Sequence, residues 1–259
     1  MTPTQDILSG ISRWRLWTLL AYEDFKATYH RTLIGPIWVI ASFLAFIGVK
    51  VFIFGTLNTS SDNNYYICYL TLGFMMWTFL ANAINGGING FVSAKNWIHG
   101  ISAPYSIFVL ERLTGGLINL FFVAIASLAI TMFFQPFTIV EFTLAILGFC
   151  LVLFSLFWVA LLLAIIGVFF RDAIQLVGTI MRIAFFLTPI LWLPEALGSR
   201  AVFVNWNPFT HYLALVRAPL IDGTIPELSL YVVAGITAIT MVLSLSAFKF
   251  YRKYIPSYI

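Results

Sequence analysis

Residues 142–170, FTLAILGFCLVLFSLFWVALLLAIIGVFF, contain no charged side chain. A helix rises about 1.5 Å per residue and the hydrocarbon core of a bilayer is about 30 Å thick, so roughly 20 such residues cross a membrane. The rest of the chain has the same character, because 61% of its residues are apolar and only 9% are charged. Soluble domains carry about 25% charged residues. The composition therefore excludes an ordinary water-soluble fold.

Five further segments are apolar enough to be membrane spans, with at most one charge in each. The six predicted spans are residues 36–57, 65–92, 113–134, 142–170, 174–193 and 228–248. Backbone amides in lipid must be paired within their own segment, so these spans are helices. We therefore predict an all-α integral membrane protein with six transmembrane helices, in which residues 1–259 form a single transmembrane domain.

The basic residues are distributed unevenly between the two sides of the predicted spans. Two of the fourteen, Arg200 and Arg217, fall on one side, and Lys50 and Arg182 fall within spans. The other ten share the opposite side: Arg13, Arg15, Lys26, Arg31, Lys95, Arg112, Arg171, Lys249, Arg252 and Lys253. The positive-inside rule places that side, and with it both termini, in the cytoplasm. Basic residues kept on the cytoplasmic side of a membrane thus account for the net charge of +4. No nucleic-acid partner is needed to explain it, and none is expected.

Residues 1–33 are predicted to form a cytoplasmic amphipathic helix that lies in the membrane interface. Read as a helix, they place apolar residues on one face: Ile7, Ile11, Trp14, Ala21 and Phe25. Tryptophan is typical of helices anchored at headgroup depth. Arg13 and Arg15 interrupt the apolar run, which argues against a signal peptide. A disordered tail is the alternative interpretation.

The predicted outer connection, residues 195–227, contains an unusual apolar stretch. Residues 201–216 are uncharged, but Asn207-Pro208 interrupts them and proline breaks the helical hydrogen-bond ladder. The stretch is too short to span, and non-helical backbone at membrane depth needs shelter from protein or a water-filled cavity. We predict short re-entrant helices on the outer side that meet near Asn207-Pro208.

No pattern typical of an enzyme is found in the sequence. The phosphate-binding pattern GxxxxGK[ST] is absent, so no catalytic residue for nucleotide hydrolysis is assigned. His30, His99 and His211 are scattered between different loops, so no metal site is predicted. The carboxylates are equally dispersed, and Cys68 and Cys150 lie within apolar runs, which disfavours a disulfide.

Charges within predicted spans are functional candidates because they are costly in lipid. Lys50 lies in the first span and Arg182 in the fifth. Aromatic residues share the helix faces of these two cations: Phe43, Phe46, Phe54, Phe185 and Trp192. Aromatic rings stack on flat ligand faces without fixing one register, which suits a sliding sugar polymer. The alternatives are that both cations snorkel to the headgroups and that the rings only pack against neighbouring helices.

Three short motifs, taken in order, resemble those of a known family. Residues 29–38, YHRTLIGPIW, resemble the RY+rt+LGplW pattern of that family, and residues 169–172, FFRD, resemble its FRD element. Residues 207–211, NPFTH, resemble its NP-x-[TV]-H stretch. The family is the membrane (permease) subunit of type-2 ABC exporters of O-antigen and related polysaccharides. Residues 101–104, ISAP, depart from it, since the family often has a basic residue before that proline.

The resemblance implies a transport subunit rather than an enzyme. It implies a homodimer paired with two copies of a separate ABC ATPase subunit, which uses ATP and Mg while this chain binds no cofactor. The implied substrate is a lipid-linked polysaccharide, moved across the bacterial inner membrane towards the periplasm. Capsule and teichoic-acid exporters are the nearest alternatives, and a membrane enzyme acting on lipid-linked sugar is a more distant one.

The resemblance also implies roles for particular residues. The first and fifth spans would line the channel, with these candidates: Phe43, Phe46, Lys50, Phe54, Arg182, Phe185 and Trp192. Arg182 would attract the pyrophosphate of the lipid carrier while the rings contact sugar. Residues 95–112 would form the loop seated in the ATPase, with these coupling candidates: Lys95, Trp97, His99, Pro104, Arg112, Arg171 and Asp172. The periplasmic gate, in region 195–227, would contain Trp206, Asn207, Pro208, His211 and Tyr212.

Overall fold

A computed structural model describes residues 2–30, 34–54, 63–100, 102–194, 198 and 202–259. The regular elements in these ranges are helices: α1 (Pro3–Ser12), α2 (Trp14–Tyr29), α3 (Ile37–Phe54), α4 (Asn63–Ser93), α5 (Lys95–Gly100), α6 (Ser106–Phe134), α7 (Ile139–Phe169), α8 (Asp172–Leu187), α9 (Val202–Trp206), α10 (Pro208–Asp222), α11 (Glu227–Tyr251) and α12 (Ile255–Tyr258), with a 3-10 turn at Arg252–Tyr254. The prediction of an all-α fold is confirmed.

Within the described ranges, four helical segments are long and apolar enough to cross a bilayer. They are Asn63–Gly100, Ser106–Phe134, Ile139–Phe169 and Glu227–Tyr258, and a shorter apolar helix covers Ile37–Ile53. The count of six spans stays a prediction. Several predicted stretches lie partly outside the described residues: 31–33 of the interface helix, 55–57 of the first span, and 195–197 and 199–201 of the gate region.

Two helices have ends that the hydropathy pattern did not locate. The segment predicted as a span over 174–193 corresponds to α8, which ends at Leu187 because Pro189 follows. The predicted loop 95–112 contains α5, and its last part, from Ser106, already belongs to α6. The predicted third span begins at residue 113, after the charged residues Glu111 and Arg112. Helix α6 already includes both residues, and their side chains have ion-pair partners.

Helix α4 lies at the centre of the bundle. It packs against α6, α7, α8 and α10, and its side chains include fully buried Tyr66, Phe79 and Phe91. A helix that is apolar on every face belongs inside protein rather than at its surface. The helices around α4 keep exposed apolar residues instead, such as Phe133 on α6.

The N-terminal segment forms two helices rather than one, with the break at Arg13. Helix α1 begins with a capping box in which Thr2 and Gln5 satisfy each other's backbone amides, and Pro3 occupies its first turn. Helix α1 packs on α6 and α11, whereas α2 packs on α6. Both N-terminal helices are therefore fastened to the bundle.

The C-terminus returns to the same end of the bundle as the N-terminus. Helix α12 contacts both α5 and α7, and the Tyr258 ring lies 4.9 Å from the ring of Phe169. We call this the proximal end, since both termini lie there. The distal end is the one at which α8 ends and α9 and α10 meet.

Candidate functional site: an aromatic row and a helix break

Aromatic side chains from four helices form a continuous row, which we define as Phe43, Phe46, Phe74, Trp77, Phe185 and Phe209. On α3, Phe46 stacks on Phe74 with ring centroids 3.9 Å apart, and Phe43 lies 5.8 Å from the same ring. The Phe74 ring lies 6.2 Å from Phe185 on α8. Three predicted channel residues, Phe43, Phe46 and Phe185, are thus brought together through one residue of α4.

Trp77 extends the aromatic row to the distal end. Its ring lies 5.7 Å from Phe185 and 5.4 Å from Phe209, which is on α10. Phe74 and Trp77 were not among the candidates from sequence. Their spacing of three residues on one uncharged helix was a signal, but many other aromatic residues show similar spacing.

The two cations within predicted spans differ in their surroundings. The Lys50 ammonium lies 5.2 Å above the Phe46 ring, which joins it to the aromatic row by a cation–π contact. Arg182 is exposed and donates to Thr179 on its own helix at 3.2 Å. Phe54 ends α3, and its side chain lies outside the described residues. The structure therefore groups Lys50, but not Arg182, with the aromatic row.

Directly after α8, residues 188–193 are non-helical yet mostly buried. Thr188 and Ile190 are fully inaccessible to solvent, so the carbonyls of this segment need partners from protein. Tyr66 on α4 donates to the Leu191 carbonyl at 2.9 Å, and the Trp192 indole donates to the Phe186 carbonyl at 3.1 Å. This segment, residues 188–193, is therefore a sheltered helix break. Trp192, a predicted channel residue, stabilises it.

Asn207 links the helix break to α10. Its side-chain oxygen accepts from the Phe209 amide and caps α10, and its side-chain nitrogen donates to Thr188 at 2.9 Å and to the Leu187 carbonyl at 3.3 Å. Pro208 then occupies the first turn of α10, where its missing amide proton costs nothing. The predicted meeting of two short helices at Asn207-Pro208 is seen between α9 and α10.

The remaining gate candidates divide into buried and exposed residues. His211 is buried between Ser229 and the Asn205 carbonyl, each at 2.9 Å, and Tyr212 shares a 2.6 Å hydrogen bond with Ser155. Trp206 is 81% exposed and lines an apolar cavity of about 740 Å³. The cavity lies between the end of α8 and the α9–α10 turn, with Trp192, Phe203 and Trp206 among its walls.

Replacing Asn207 separates its two functions. Asn207→Ala removes the cap and the donor, and we expect it to lower the free energy of unfolding by about 1 to 2 kcal/mol. Asn207→Asp keeps an acceptor for the Phe209 amide but loses the donor to Thr188, so its cost should be smaller. Unfolding by SDS in mixed micelles measures both. Equal losses in the two variants would contradict a capping role.

Arg217 on α10 was not a candidate from sequence, yet it is almost fully buried at 7% exposure. Its guanidinium lies 3.7 Å from the Tyr69 ring centroid and donates to the Pro189 carbonyl at 2.9 Å. A cation buried in this way fastens α10 to α4 and to the helix break. The signal available in the sequence was its place at the end of the uncharged stretch 201–216.

The coupling candidates lie at the proximal end but not on one surface. Lys95, Trp97 and His99 are exposed on α5, and Arg171 and Asp172 are exposed where α7 gives way to α8. Pro104 is buried. Helix α12 contacts both α5 and α7, so the first two groups lie near the same C-terminal turn.

Arg112 points into the bundle interface instead of away from it. Its guanidinium lies 3.5 Å from Asp24 on α2 and 3.2 Å from Glu111, and it donates to Ser93 at the end of α4 at 3.0 Å. These contacts hold α2 against α4 and α6. Arg112 is thus placed to hold α2 beside the end of α4 and the first turns of α6.

Asp6 forms a second buried contact that the sequence did not indicate. Its carboxylate is fully inaccessible and lies 2.8 Å from the Arg252 guanidinium. It also accepts from the backbone amides of Tyr105 and Ser106, at 3.3 and 3.1 Å, and from the Ser106 hydroxyl at 3.0 Å. Asp6 therefore caps α6 from α1 and joins both to the C-terminal turn.

Among the described residues, no group of three His, Cys, Asp or Glu side chains could hold a metal ion. Their buried polar groups Asp6 and Arg217, and the half-buried Arg112, instead join helices. The arrangement offers aromatic surface and fixed helix ends, which suit the passage of a ligand.

Comparison with known proteins points in one direction. The family model for ABC-2 type transporters matches residues 15–221. An O-antigen export system permease protein RfbA of Klebsiella pneumoniae is 22% identical over 216 residues, which cover 81% of this chain and 82% of that protein. A protein of the same name from Myxococcus xanthus is 20% identical over 243 residues, covering 90% and 91%. The similarity thus extends along nearly the whole chain.

Proposed function

Because this chain belongs to the ABC-2 type transporter family, we propose that it is the membrane subunit of an ATP-driven exporter of lipid-linked O-antigen polysaccharide. Two copies would assemble with two copies of a separate ATPase, which supplies ATP hydrolysis. The complex would lie in the bacterial inner membrane with both termini of this chain in the cytoplasm. The observation that carries the substrate class is the match along most of the chain to O-antigen export permeases.

The aromatic row supports a sugar ligand. It runs from α3 across α4 to α8 and α10, and its rings at Phe74, Phe185 and Phe209 are only half-buried. Apolar C–H faces of pyranose rings stack on such side chains, and stacking tolerates sliding because it fixes no single register. Lys50 beside Phe46 adds a positive charge at the edge of this surface.

The exposed aromatic walls of the distal cavity favour a contact with a second copy of the chain. Its walls include Phe203 and Trp206, which are 72% and 81% exposed in a single chain. Aromatic side chains of this size are typical of interfaces and of ligand pathways. We propose that two such cavities meet at the two-fold axis and form the periplasmic exit.

The exposed side chains of α5 favour this helix as the contact with the proposed ATPase. It exposes Lys95, Trp97 and His99 on a short helix that ends a long span. Tryptophan exposed beside charged groups is a common centre of binding energy at protein interfaces. We propose that α5 is the coupling helix and that Arg171 and Asp172 lie at the edge of the same contact.

Reconstitution tests the proposed function. The chain should co-purify with a separate ABC ATPase of the same organism, and ATP turnover by that ATPase should depend on this chain. In cells, deletion of the gene should trap O-antigen on its lipid carrier in the cytoplasmic leaflet. If deletion leaves surface O-antigen normal but removes capsule or teichoic acid, the proposed substrate is wrong. If the purified chain modifies lipid-linked sugar without an ATPase, the proposed transport function is wrong.

Phe185→Leu tests the aromatic row directly. Leucine keeps apolar packing but removes the ring face, and losing one stacked ring costs roughly 1 to 3 kcal/mol of binding. We expect export of polymer to fall by about tenfold, measured as the rate at which surface O-antigen appears after induction. The matched control is Phe133→Leu, because Phe133 lies on α6 at 80% exposure and outside the aromatic row. Equal export rates in the two variants would show that the aromatic row does not contact the polymer during export.

A further inference from the structure

A small recess lies at the proximal end between the start of α6 and the end of α11. It has a volume of about 340 Å³ and is lined by Tyr105, Lys249, Arg252 and Lys253. None of these residues belongs to the aromatic row, and Lys249, Arg252 and Lys253 were assigned no role in transport. Three of the four carry a positive charge, and the fourth carries a hydroxyl group.

The positive charge of the recess is only partly compensated. Arg252 is paired with Asp6 at 2.8 Å. Lys249 and Lys253 are exposed, and the described part of the chain places no carboxylate within ion-pair distance of either. Lys253 instead lies 4.7 Å above the Tyr254 ring. The walls therefore leave two ammonium groups available to an anion.

Tyr105 adds a hydrogen-bond donor to these charges. Burial raises the pKa of its hydroxyl, an effect that the Arg252 guanidinium partly opposes and Asp6 reinforces. A tyrosine hydroxyl is protonated at neutral pH in any case, so Tyr105 can donate. Ammonium, guanidinium and phenol groups all donate, so the recess favours a ligand that is anionic and rich in acceptors.

The position of the recess favours a lipid over a soluble anion. It lies beside the end of α11, a helix long and apolar enough to cross the bilayer. Phe250 and Tyr254 are exposed next to it, at 65% and 46%. Aromatic residues of this kind lie at headgroup depth, where lysines attract anionic lipids. An acyl chain could follow the exposed face of Phe250 while the phosphate enters the recess.

We propose that this recess binds the phosphate of an anionic phospholipid headgroup, with Lys249 and Lys253 as its principal partners. Arg252 also lines the recess and contacts Asp6, which caps the start of α6. A bound lipid would thereby hold α11 and α6 in register with α1. The site would act in addition to transport of polymer and does not depend on the identity of that polymer.

Native mass spectrometry of the full chain tests the proposal. The protein, purified in detergent, is titrated with phosphatidylglycerol or with phosphatidylcholine of the same acyl chains. We expect wild-type protein to retain phosphatidylglycerol preferentially. K249Q/K253Q should weaken that retention by roughly tenfold to thirtyfold, since each ion pair with the bound phosphate contributes up to about fivefold. Arg252 is left intact because its pair with Asp6 supports the fold.

The matched control is R15Q/K26Q, which removes the same charge from exposed positions of α2. We expect it to change phosphatidylglycerol retention less than twofold. Equal losses in both double variants would show that only overall charge matters and would overturn the site, as would equal retention of phosphatidylcholine. Displacement of the lipid by inorganic phosphate at equal phosphate concentration would overturn its assignment to a lipid.

Discussion

Asp6→Ala is expected to lower the free energy of unfolding by about 3 kcal/mol, because it breaks an ion pair whose carboxylate is fully buried and leaves the half-buried Arg252 charge behind. Asp6 also accepts from two backbone amides at the start of α6, and those donors lose their acceptor in the variant. Unfolding by SDS in mixed micelles, followed by tryptophan fluorescence, measures the change. Glu23→Ala, at an exposed position of α2, should change stability by less than about 0.5 kcal/mol.

A double-mutant cycle separates the ion pair from the capping contacts. Replacing a buried pair by apolar residues is often nearly neutral, whereas breaking it from one side is not. We therefore expect Asp6→Ala combined with Arg252→Met to be less destabilised than the sum of the two single variants. The expected coupling is about 1 to 3 kcal/mol. Simple additivity would show that Asp6 acts through the α6 amides alone.

Gly167→Ala is expected to destabilise the bundle by about 2 to 3 kcal/mol, although alanine is the better helix former. A Cβ at Gly167 on α7 would overlap the Ile88 carbonyl oxygen of α4. That oxygen belongs to a helix backbone, which cannot rotate away as a side chain can. The two helices must then separate along their contact, and α4 contributes Phe74 and Trp77 to the aromatic row. Export should fall together with stability.

Gly235→Ala is the matched control for this substitution. Gly235 lies on α11, is exposed, and a Cβ there would meet no atom within 4 Å. Its replacement should be neutral or should stabilise by up to about 1 kcal/mol, the ordinary preference of helices for alanine. Similar destabilisation by both alanines would mean that glycine matters for flexibility in the membrane, and not for close packing of α4 on α7.

The fold could be predicted from sequence because a bilayer imposes a strong constraint on composition. Uncharged runs such as 142–170 must be helical in lipid, and α7 follows that run within a few residues at either end. The break at Asn207 was also predictable, since proline has the same local effect in any surroundings. Helix ends were harder to predict from sequence, because a charged residue such as Glu111 interrupts an apolar run without ending the helix.

The candidate site was only partly predictable. Stripes on α3 and α8 indicated Phe43, Phe46 and Phe185, but neither stripe showed that α4 would join them through Phe74 and Trp77. Asp6 was equally hidden, since its partner Arg252 lies near the other end of the chain. Contacts of this kind depend on how helices pack, and no periodicity within one helix contains that information.

The end of α8 has a mechanical consequence. Side chains of the following elements hold a carbonyl at this end and another just beyond it, with Asn207 on the Leu187 oxygen and Arg217 on the Pro189 oxygen. Two carbonyls at this hinge are thus held by α10 and the residue that caps it, so α8 cannot bend there independently of α10. Tilting of α8 would therefore drag α10 with it, and the cavity between the end of α8 and the α9–α10 turn would widen or narrow in step.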